Sequence, residues 1–222
     1  MSSLTIFIDL DNTIYNQEPL IRYALREICK KIDGELDRHA CFKTFMKILR
    51  SKGLHAKIFD RFLERTSINM EIEDLVKMFR EKQFEYIHKN GLKPYASAIK
   101  FLREANSVHL RVIVYTEGQK DLQELKVKSL GIEDLIEGVI VVKSKLSPEN
   151  ANIFEEERPV LYIGDDPYVD FYIPNMLRIP TIRVLTGLYK NVSNYVYGEK
   201  YAPKFTVRRL SKKILKIWGS LE

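Results

Sequence analysis

Apolar residues follow two patterns along the chain, one typical of buried strands and one typical of helices. Short apolar runs predict strands at Leu4–Ile8, Val108–Tyr115, Val139–Val142, Val160–Ile163 and Thr181–Leu185. Between these runs, apolar residues recur at helical spacing over 95–105, 119–130 and 149–157. Alternating strands and helices predict a parallel sheet with helices on both faces, which is an α/β, doubly wound fold.

A block of helical sequence interrupts this alternation after the first strand. Apolar stripes at helical spacing predict four helices, at Pro19–Ile32, Cys41–Leu49, Ile58–Leu63 and Ile72–Ile87. We therefore expect an inserted helical cap at residues 16–93, and an α/β catalytic core built from residues 1–15 and 94–222. Towards the end of the chain, the pattern predicts an edge strand at 204–207 and a closing helix at 211–218. A helix at 168–177 should be short or irregular because it contains Pro174.

Polar residues follow three of the predicted strands. Asp9 and Asp11 end the first strand, and because alternate strand residues face the same way, their carboxylates are expected to be presented together. Thr116 ends the second strand, and the segment after Val160–Ile163 carries Asp165, Asp166 and Asp170. The carboxyl ends of parallel strands are where open α/β sheets bind ligands. Carboxylates crowded there are costly unless a cation or a reaction uses them. The alternative for Asp11-Asn12 is a simple turn, since both residue types favour turns.

These residue types suit the cleavage of a phosphate ester. Asp9 can serve as a carboxylate nucleophile that forms an acyl-phosphate. Asp11, two residues later, can protonate the leaving oxygen and afterwards activate water. Carboxylates acting on a phosphate call for a hard divalent cation with oxygen ligands, which indicates Mg²⁺, and Asp165 is the natural third contributor.

The motifs Asp-x-Asp-x-Thr, Thr and Gly-Asp-Asp-x-x-x-Asp, in this order, resemble those of the haloacid dehalogenase-like hydrolase superfamily. The resemblance is to phosphatases with a helical cap inserted after the first motif. It implies that Asp9 and Asp165 give side-chain oxygens to the metal and Asp11 gives a backbone carbonyl. Asp170 would orient the metal shell, with Asp166 as the alternative. The resemblance also implies phosphoryl contacts from Thr116 and from the backbone N–H groups of Leu10 and Asp11.

The family also uses a lysine between its second and third motifs to neutralise charge on the nucleophile and phosphoryl group. The segment 143–148 offers two candidates, of which Lys145 is the first choice and Lys143 the alternative. Lys126 and Lys128 lie in a predicted helix and are expected at the surface. Pro174 and Arg178 depart from the small residues common in the family, with consequences for local packing rather than for charge.

The second aspartate discriminates among reactions of this family. A halide leaving group needs no proton, so Asp11 favours phosphoryl transfer over dehalogenation. The sequence therefore predicts a Mg²⁺-dependent phosphatase that acts on a small phosphorylated metabolite. The alternatives are a phosphomutase or dehalogenase relative, or a catalytically silent binding protein of the same fold.

Composition adds constraints on location and partners. The net charge of +6 is carried by the helical block and the tail from residue 190 onward, whereas the rest of the chain is acidic. These basic residues can attract an anionic substrate or simply solvate helix faces, and they require no nucleic-acid partner. The apolar runs are too short to span a membrane, and the start lacks a signal-peptide pattern. The separated Cys29 and Cys41 predict reduced thiols and a cytoplasmic protein.

Overall fold

The computed structural model of the protein describes residues 4–32, 34–52 and 57–219. These residues form, in chain order, β1 (Thr5–Ile8), α1 (Glu18–Lys31), α2 (Arg38–Lys52), α3 (Ile58–Leu63), α4 (Ile72–Asn90), α5 (Ala96–Ser107), β2 (Arg111–Glu117), α6 (Lys120–Leu130), β3 (Gly138–Val142), α7 (Ala151–Glu157), β4 (Pro159–Gly164), α8 (Tyr172–Met176), β5 (Thr181–Val184), β6 (Phe205–Val207) and α9 (Lys212–Gly219). None of the helices in these ranges is long and apolar enough to cross a membrane.

The strands form one sheet in the order β3-β2-β1-β4-β5-β6, with every neighbouring pair parallel. The central β1 pairs through Ile8 with Val114 of β2 on one side and with Ile163 of β4 on the other. The residues that follow β1, β2 and β4 therefore meet at one edge of the sheet. The strand order reverses beside β1, which is where open α/β sheets form a ligand crevice.

Each face of the sheet has its own hydrophobic core because successive residues of a strand point to opposite faces. Ile6 and Ile8 face a core that α5, α6 and α9 complete. Phe7, between them, faces a second core in which its ring stacks on Tyr115 at 5.4 Å and meets Phe154 of α7 edge-on. The predicted α/β class with a parallel sheet and helices on both faces is confirmed.

The segment Gln17–Gly91 forms a compact unit of its own, and Met1–Asn16 with Leu92–Glu222 form the other. Within the helical unit, the ring of Phe45 stacks on Phe62 at 3.8 Å and meets Phe59 edge-on, so the aromatic stripe is core. The last helix, α4, ends at Gly91, whose φ of 65° lies in the left-handed region that favours glycine. The assignment of residues 16–93 as a cap stays a prediction.

The prediction of reduced thiols is wrong, because Cys29 of α1 and Cys41 of α2 form a disulfide. The two helices pack side by side and bring the Cα atoms of these residues to 5.7 Å, within the range that a disulfide requires. A spacing of 12 residues does not reveal this, since it depends on how two helices pack rather than on a local motif.

Reducing this disulfide should lower the stability of the helical unit. Closing a loop of this length stabilises a folded chain by about 2–3 kcal/mol, largely through the unfolded state. We expect a dithiothreitol-treated wild type to unfold at lower urea concentration, and a Cys29→Ser/Cys41→Ser variant to match it. The double variant should not respond to the reductant in circular dichroism. A wild type whose urea midpoint ignores reductant would contradict the contribution assigned to the bond.

The predicted helix at 168–177 is shorter than its pattern, because α8 starts only at Tyr172. Before it, the backbone N–H of Tyr168 donates to the Asp166 carboxylate at 2.9 Å, and that of Asp166 donates to Asp170 at 2.8 Å. Side-chain acceptors of this kind compete with helical hydrogen bonds. Pro174 lies in the first turn of α8, where its missing N–H has no helical partner to lose.

Candidate active site

Asp9 and Asp11 lie at the end of β1, but their carboxylates have different environments. The backbone N–H of Asp9 donates to Ile163 of β4 at 2.8 Å and extends the ladder by one residue. The chain then turns, with Asn12 in the left-handed region at a φ of 59°. Asp9 is buried and Asp11 is partly exposed. Strand alternation therefore stops before Asp11. The turn expected at Asp11-Asn12 is present, and it directly follows the buried Asp9.

Lys145 lies at the centre of the acidic cluster. Its buried ammonium contacts the Asp9 carboxylate and donates to Asp170 Oδ1 at 2.6 Å. The loop that carries it is fixed by the Lys145 backbone N–H, which donates to the Glu117 carboxylate at 2.8 Å. The alternative residue, Lys143, is exposed. The geometry thus gives Lys145 the contact to Asp9 that the family lysine requires, while its catalytic role stays a prediction.

The segment after β4 is built around the fully buried Asp170. Its Oδ1 accepts hydrogen bonds from Lys145 and, at 3.0 Å, from the Tyr162 hydroxyl, and its Oδ2 accepts the Asp166 backbone N–H at 2.8 Å. A Cβ at Gly164 would collide with this carboxylate, so the residue before Asp165 must be glycine. Asp170 is therefore held in place by the turn that presents Asp165.

Burial and mutual repulsion shift the protonation of the cluster. Burial raises the pKa of Asp9 to about 7, with Lys145 opposing the rise and Asp170 adding to it. Burial and the charge of Asp9 also raise the pKa of Asp165 well above its ordinary value. Burial by itself lowers the pKa of Lys145, but the carboxylates of Asp170 and Asp9 outweigh it and raise that pKa well above normal. Three carboxylates therefore share one ammonium, and without a further cation, burial and mutual repulsion favour proton uptake by Asp9 and Asp165.

The donor set fits a divalent cation. Ligand oxygens of Asp9, Asp165 and Asp170 all lie within 4.8 Å of one another, and all three residues are buried. Within the described residues, Asp165 Oδ2 is a buried atom with no hydrogen-bond partner, whereas Oδ1 accepts the Thr13 hydroxyl at 3.5 Å. Three carboxylates without nitrogen or sulfur ligands suit a hard cation such as Mg²⁺. The Asp11 carboxylate is not part of this cluster.

The prediction that Lys126 lies at the surface is wrong. Its side chain is 1% exposed, and its ammonium donates to both carboxylate oxygens of Asp11, at 2.9 and 2.8 Å. The Tyr15 hydroxyl donates to the same carboxylate at 2.5 Å. The sequence does contain a signal for this burial, because Lys126 shares a helical face with the buried Leu122 and Leu130.

Thr116 lies buried at the end of β2, paired with Val141 of β3. Because Val114 pairs with Ile8, Thr116 lies level with the residues that follow β1. The structure thus brings Asp9, Thr116, Lys145, Asp165 and Asp170 to the carboxyl ends of adjacent strands.

Sequence reasoning also missed Arg183, which is fully buried in β5. Its Nε donates to the backbone carbonyl of Asp165 at 2.9 Å. The rest of its guanidinium binds the loop after β5, through the carbonyls of Tyr189 and Val192 and the side chain of Asn194. This arginine ties the turn that carries Asp165 to that loop.

A family model described as haloacid dehalogenase-like hydrolase matches residues 4–170, which include β1, β2 and β4 and the acidic residues that follow them. The chain belongs to this family. It is therefore a member of a family of hydrolytic enzymes, and the resemblance inferred from the three motifs is confirmed.

Individual relatives agree with this assignment. A glyceraldehyde 3-phosphate phosphatase of Methanocaldococcus jannaschii is 27% identical over 87% of this chain and 90% of its own length. A hydrolase of this family from Bacillus subtilis, named YfnB and solved bound to magnesium, has a TM-score of 0.70 at 14% identity, with 99% and 100% of the chains covered. CbbY from Rhodobacter sphaeroides, solved with phosphate, has a TM-score of 0.68 at 15% identity, with 95% and 96% covered. The two solved structures share the fold.

Proposed function

We propose that this enzyme is a Mg²⁺-dependent phosphatase that hydrolyses a small phosphate monoester through an aspartyl-phosphate on Asp9. The observation that carries the proposal is the buried cluster of Asp9, Asp165 and Asp170 around the Lys145 ammonium. A buried group of three carboxylates with one cation is unfavourable for folding alone, so its presence at a sheet edge indicates chemistry. The site lies where the residues following β1, β2 and β4 meet.

In the first step, an Asp9 carboxylate oxygen attacks phosphorus, and the bond from phosphorus to the leaving oxygen breaks. The leaving oxygen takes its proton from Asp11, and Lys145 balances the negative charge near Asp9. In the second step, water attacks phosphorus of the aspartyl-phosphate while the Asp11 carboxylate accepts the water proton. The bond between phosphorus and the Asp9 oxygen breaks, so inorganic phosphate leaves and the Asp9 carboxylate is regenerated. Thr116 and the backbone N–H groups of Leu10 and Asp11 would bind phosphoryl oxygens.

Asp9 and Asp165 would hold the metal ion through side-chain oxygens, and Asp11 through its backbone carbonyl. Asp170 accepts three hydrogen bonds already, which suits a residue that orients the shell, with Asp166 as the alternative. The bound ion would supply positive charge to the phosphoryl oxygens as negative charge develops on them. The unpartnered Asp165 Oδ2 supports this assignment.

A small phosphorylated metabolite is the substrate class that the relatives support. The Methanocaldococcus relative is named for glyceraldehyde 3-phosphate, and CbbY was solved with phosphate. The first relative supports a phosphate monoester on a small polar carrier as the substrate class, whereas CbbY supports only the binding of a phosphate group. No nucleic-acid partner is needed to explain the site, and a cytoplasmic location stays a prediction.

The two aspartates at the end of β1 also bear on the alternatives. A dehalogenase has no use for an acid two residues after its nucleophile, so Asp11 favours phosphoryl transfer. A phosphomutase would return the phosphoryl group to a sugar instead of to water. Measuring inorganic phosphate released from a panel of sugar phosphates separates hydrolysis from transfer. A silent protein would release none.

Hydrolysis of p-nitrophenyl phosphate should depend on Mg²⁺. We expect EDTA to lower the rate by at least ~10²-fold, because the ion supplies several kcal/mol of charge stabilisation, and excess Mg²⁺ to restore it. Release of p-nitrophenol by dialysed protein, with and without added Mg²⁺, measures this. Full activity in metal-stripped buffer would rule out the proposed mechanism.

A further inference from the structure

Lys126 takes no part in the steps above, yet its ammonium is buried against the Asp11 carboxylate. The lysine side chain is 1% exposed, whereas the aspartate side chain is 18% exposed. A buried lysine is costly unless a partner compensates its charge, and here the two short hydrogen bonds to Asp11 do so. The pair joins α6 to the turn after β1.

Both oxygens of the Asp11 carboxylate are held. Lys126 donates to each of them, and the Tyr15 hydroxyl donates to Oδ1. The Tyr15 side chain is buried, and its backbone bridges to Asp11 and to Pro94, so its hydroxyl has little room to move. A carboxylate bound at both oxygens keeps one side-chain orientation, whereas one bound at a single oxygen can rotate.

The helix that carries Lys126, α6, is also bound to the end of β2, on the Thr116 side of the site. The side chain of Gln123 in α6 donates to the backbone carbonyl of Glu117 at 2.7 Å, next to Thr116 at the end of β2. Val127 and Leu130 pack into the core beneath the sheet. A rigid element therefore sets the distance between Lys126 and the strand ends.

We propose that Lys126, assisted by Tyr15, is the positioning residue for Asp11. It sets the orientation from which Asp11 gives its proton to the leaving oxygen as the phosphorus–oxygen bond breaks, and later accepts a proton from water. While one Asp11 oxygen carries the proton, the ammonium stays on the other. This inference rests on the proposed phosphatase function. A misplacement of about 1 Å in such a group can cost about 10²-fold in rate.

The test compares a leaving group that needs a proton with one that does not. We expect Lys126→Met to lower kcat/KM by about 30- to 100-fold for an alkyl phosphate such as glycerol 3-phosphate, and by less than about 3-fold for p-nitrophenyl phosphate. Lys128→Met, on the exposed side of the same helix, is the matched control and should change neither rate. An equal loss with both substrates would overturn the inference, because a general structural role affects both alike.

A double-mutant cycle checks that Lys126 acts through Asp11. In an Asp11→Asn background, Lys126→Met should cause no further loss with the alkyl ester, and an additive loss would overturn the inference. If Lys126→Met does not fold, Tyr15→Phe provides the test. It should lower the rate with the alkyl ester more than with p-nitrophenyl phosphate, by a smaller factor than Lys126→Met, and an equal loss with both substrates would contradict the inference. A wild type without Mg²⁺-dependent hydrolysis refutes the proposed function itself, whereas an active wild type with unselective variants refutes only the role of Lys126.

Discussion

Replacing Asp9 by asparagine should abolish turnover while the protein stays folded. An amide cannot attack phosphorus as a carboxylate does, so we expect kcat to fall by at least ~10⁴-fold, the scale on which enzymes lose activity with their nucleophile. The substitution is nearly isosteric, and the buried Lys145 keeps its hydrogen bond to Asp170. Loss of the fold is therefore not expected.

The decisive measurement is turnover by purified Asp9→Asn protein alongside Asp134→Asn, an exposed aspartate far from the motif residues in sequence. The control should keep wild-type activity, and both variants should keep the wild-type circular dichroism spectrum. In addition, rapidly quenched wild type should carry one phosphoryl group that the Asp9→Asn protein lacks. Turnover within tenfold of wild type would remove Asp9 from the role of nucleophile.

The strands, and the order of the motifs that follow them, could be predicted because strands buried on both faces are recognisable in the sequence. Central strands such as β1 and β4 are covered by helices on each side, so they appear as continuous apolar runs. The polar residues at their ends then lie at one edge of the sheet by topology alone. This is why Asp9, Thr116 and Asp165 could be grouped before their contacts were known.

Contacts that depend on helix packing could not be predicted in the same way. The disulfide between Cys29 and Cys41 needs α1 and α2 to lie side by side, which their sequences do not specify. Lys126 stands on an apolar helical face, but a lysine there can also extend its long stem to solvent. Only the folded structure, in which α6 packs against β3 and Lys126 reaches the turn after β1, shows that the ammonium meets Asp11 instead.

The path of the chain after β1 explains why one simple rule failed. Strand alternation predicts that Asp9 and Asp11 point the same way, but β1 ends at Ile8, and Asn12 adopts a left-handed conformation. The two carboxylates consequently bind different lysines, Asp9 to Lys145 and Asp11 to Lys126. This separation suits one carboxylate that attacks phosphorus and another that protonates the oxygen leaving from the opposite side of phosphorus.

The last prediction concerns the lysine choice that the sequence left open between Lys145 and Lys143. Lys145→Ala should reduce kcat by about 10²–10³-fold, the usual cost of removing one group that stabilises developing charge. Lys143→Ala should stay close to wild type because Lys143 is exposed. Steady-state rates of both variants with the same phosphate ester measure the difference.

Stability provides an independent readout for the same pair of variants. Lys145→Ala leaves Asp9 and Asp170 buried without their ammonium partner, and breaking such a buried pair costs about 3–5 kcal/mol. In EDTA, Lys145→Ala should therefore melt at a lower temperature than wild type. Added Mg²⁺ should recover part of this difference, since a cation bound to the same carboxylates replaces the lost charge. Lys143→Ala should melt like wild type under both conditions.

If Lys143→Ala proves the costlier change in rate, the lysine is misassigned although the mechanism stands. If neither variant loses activity, charge compensation beside Asp9 is not part of the reaction.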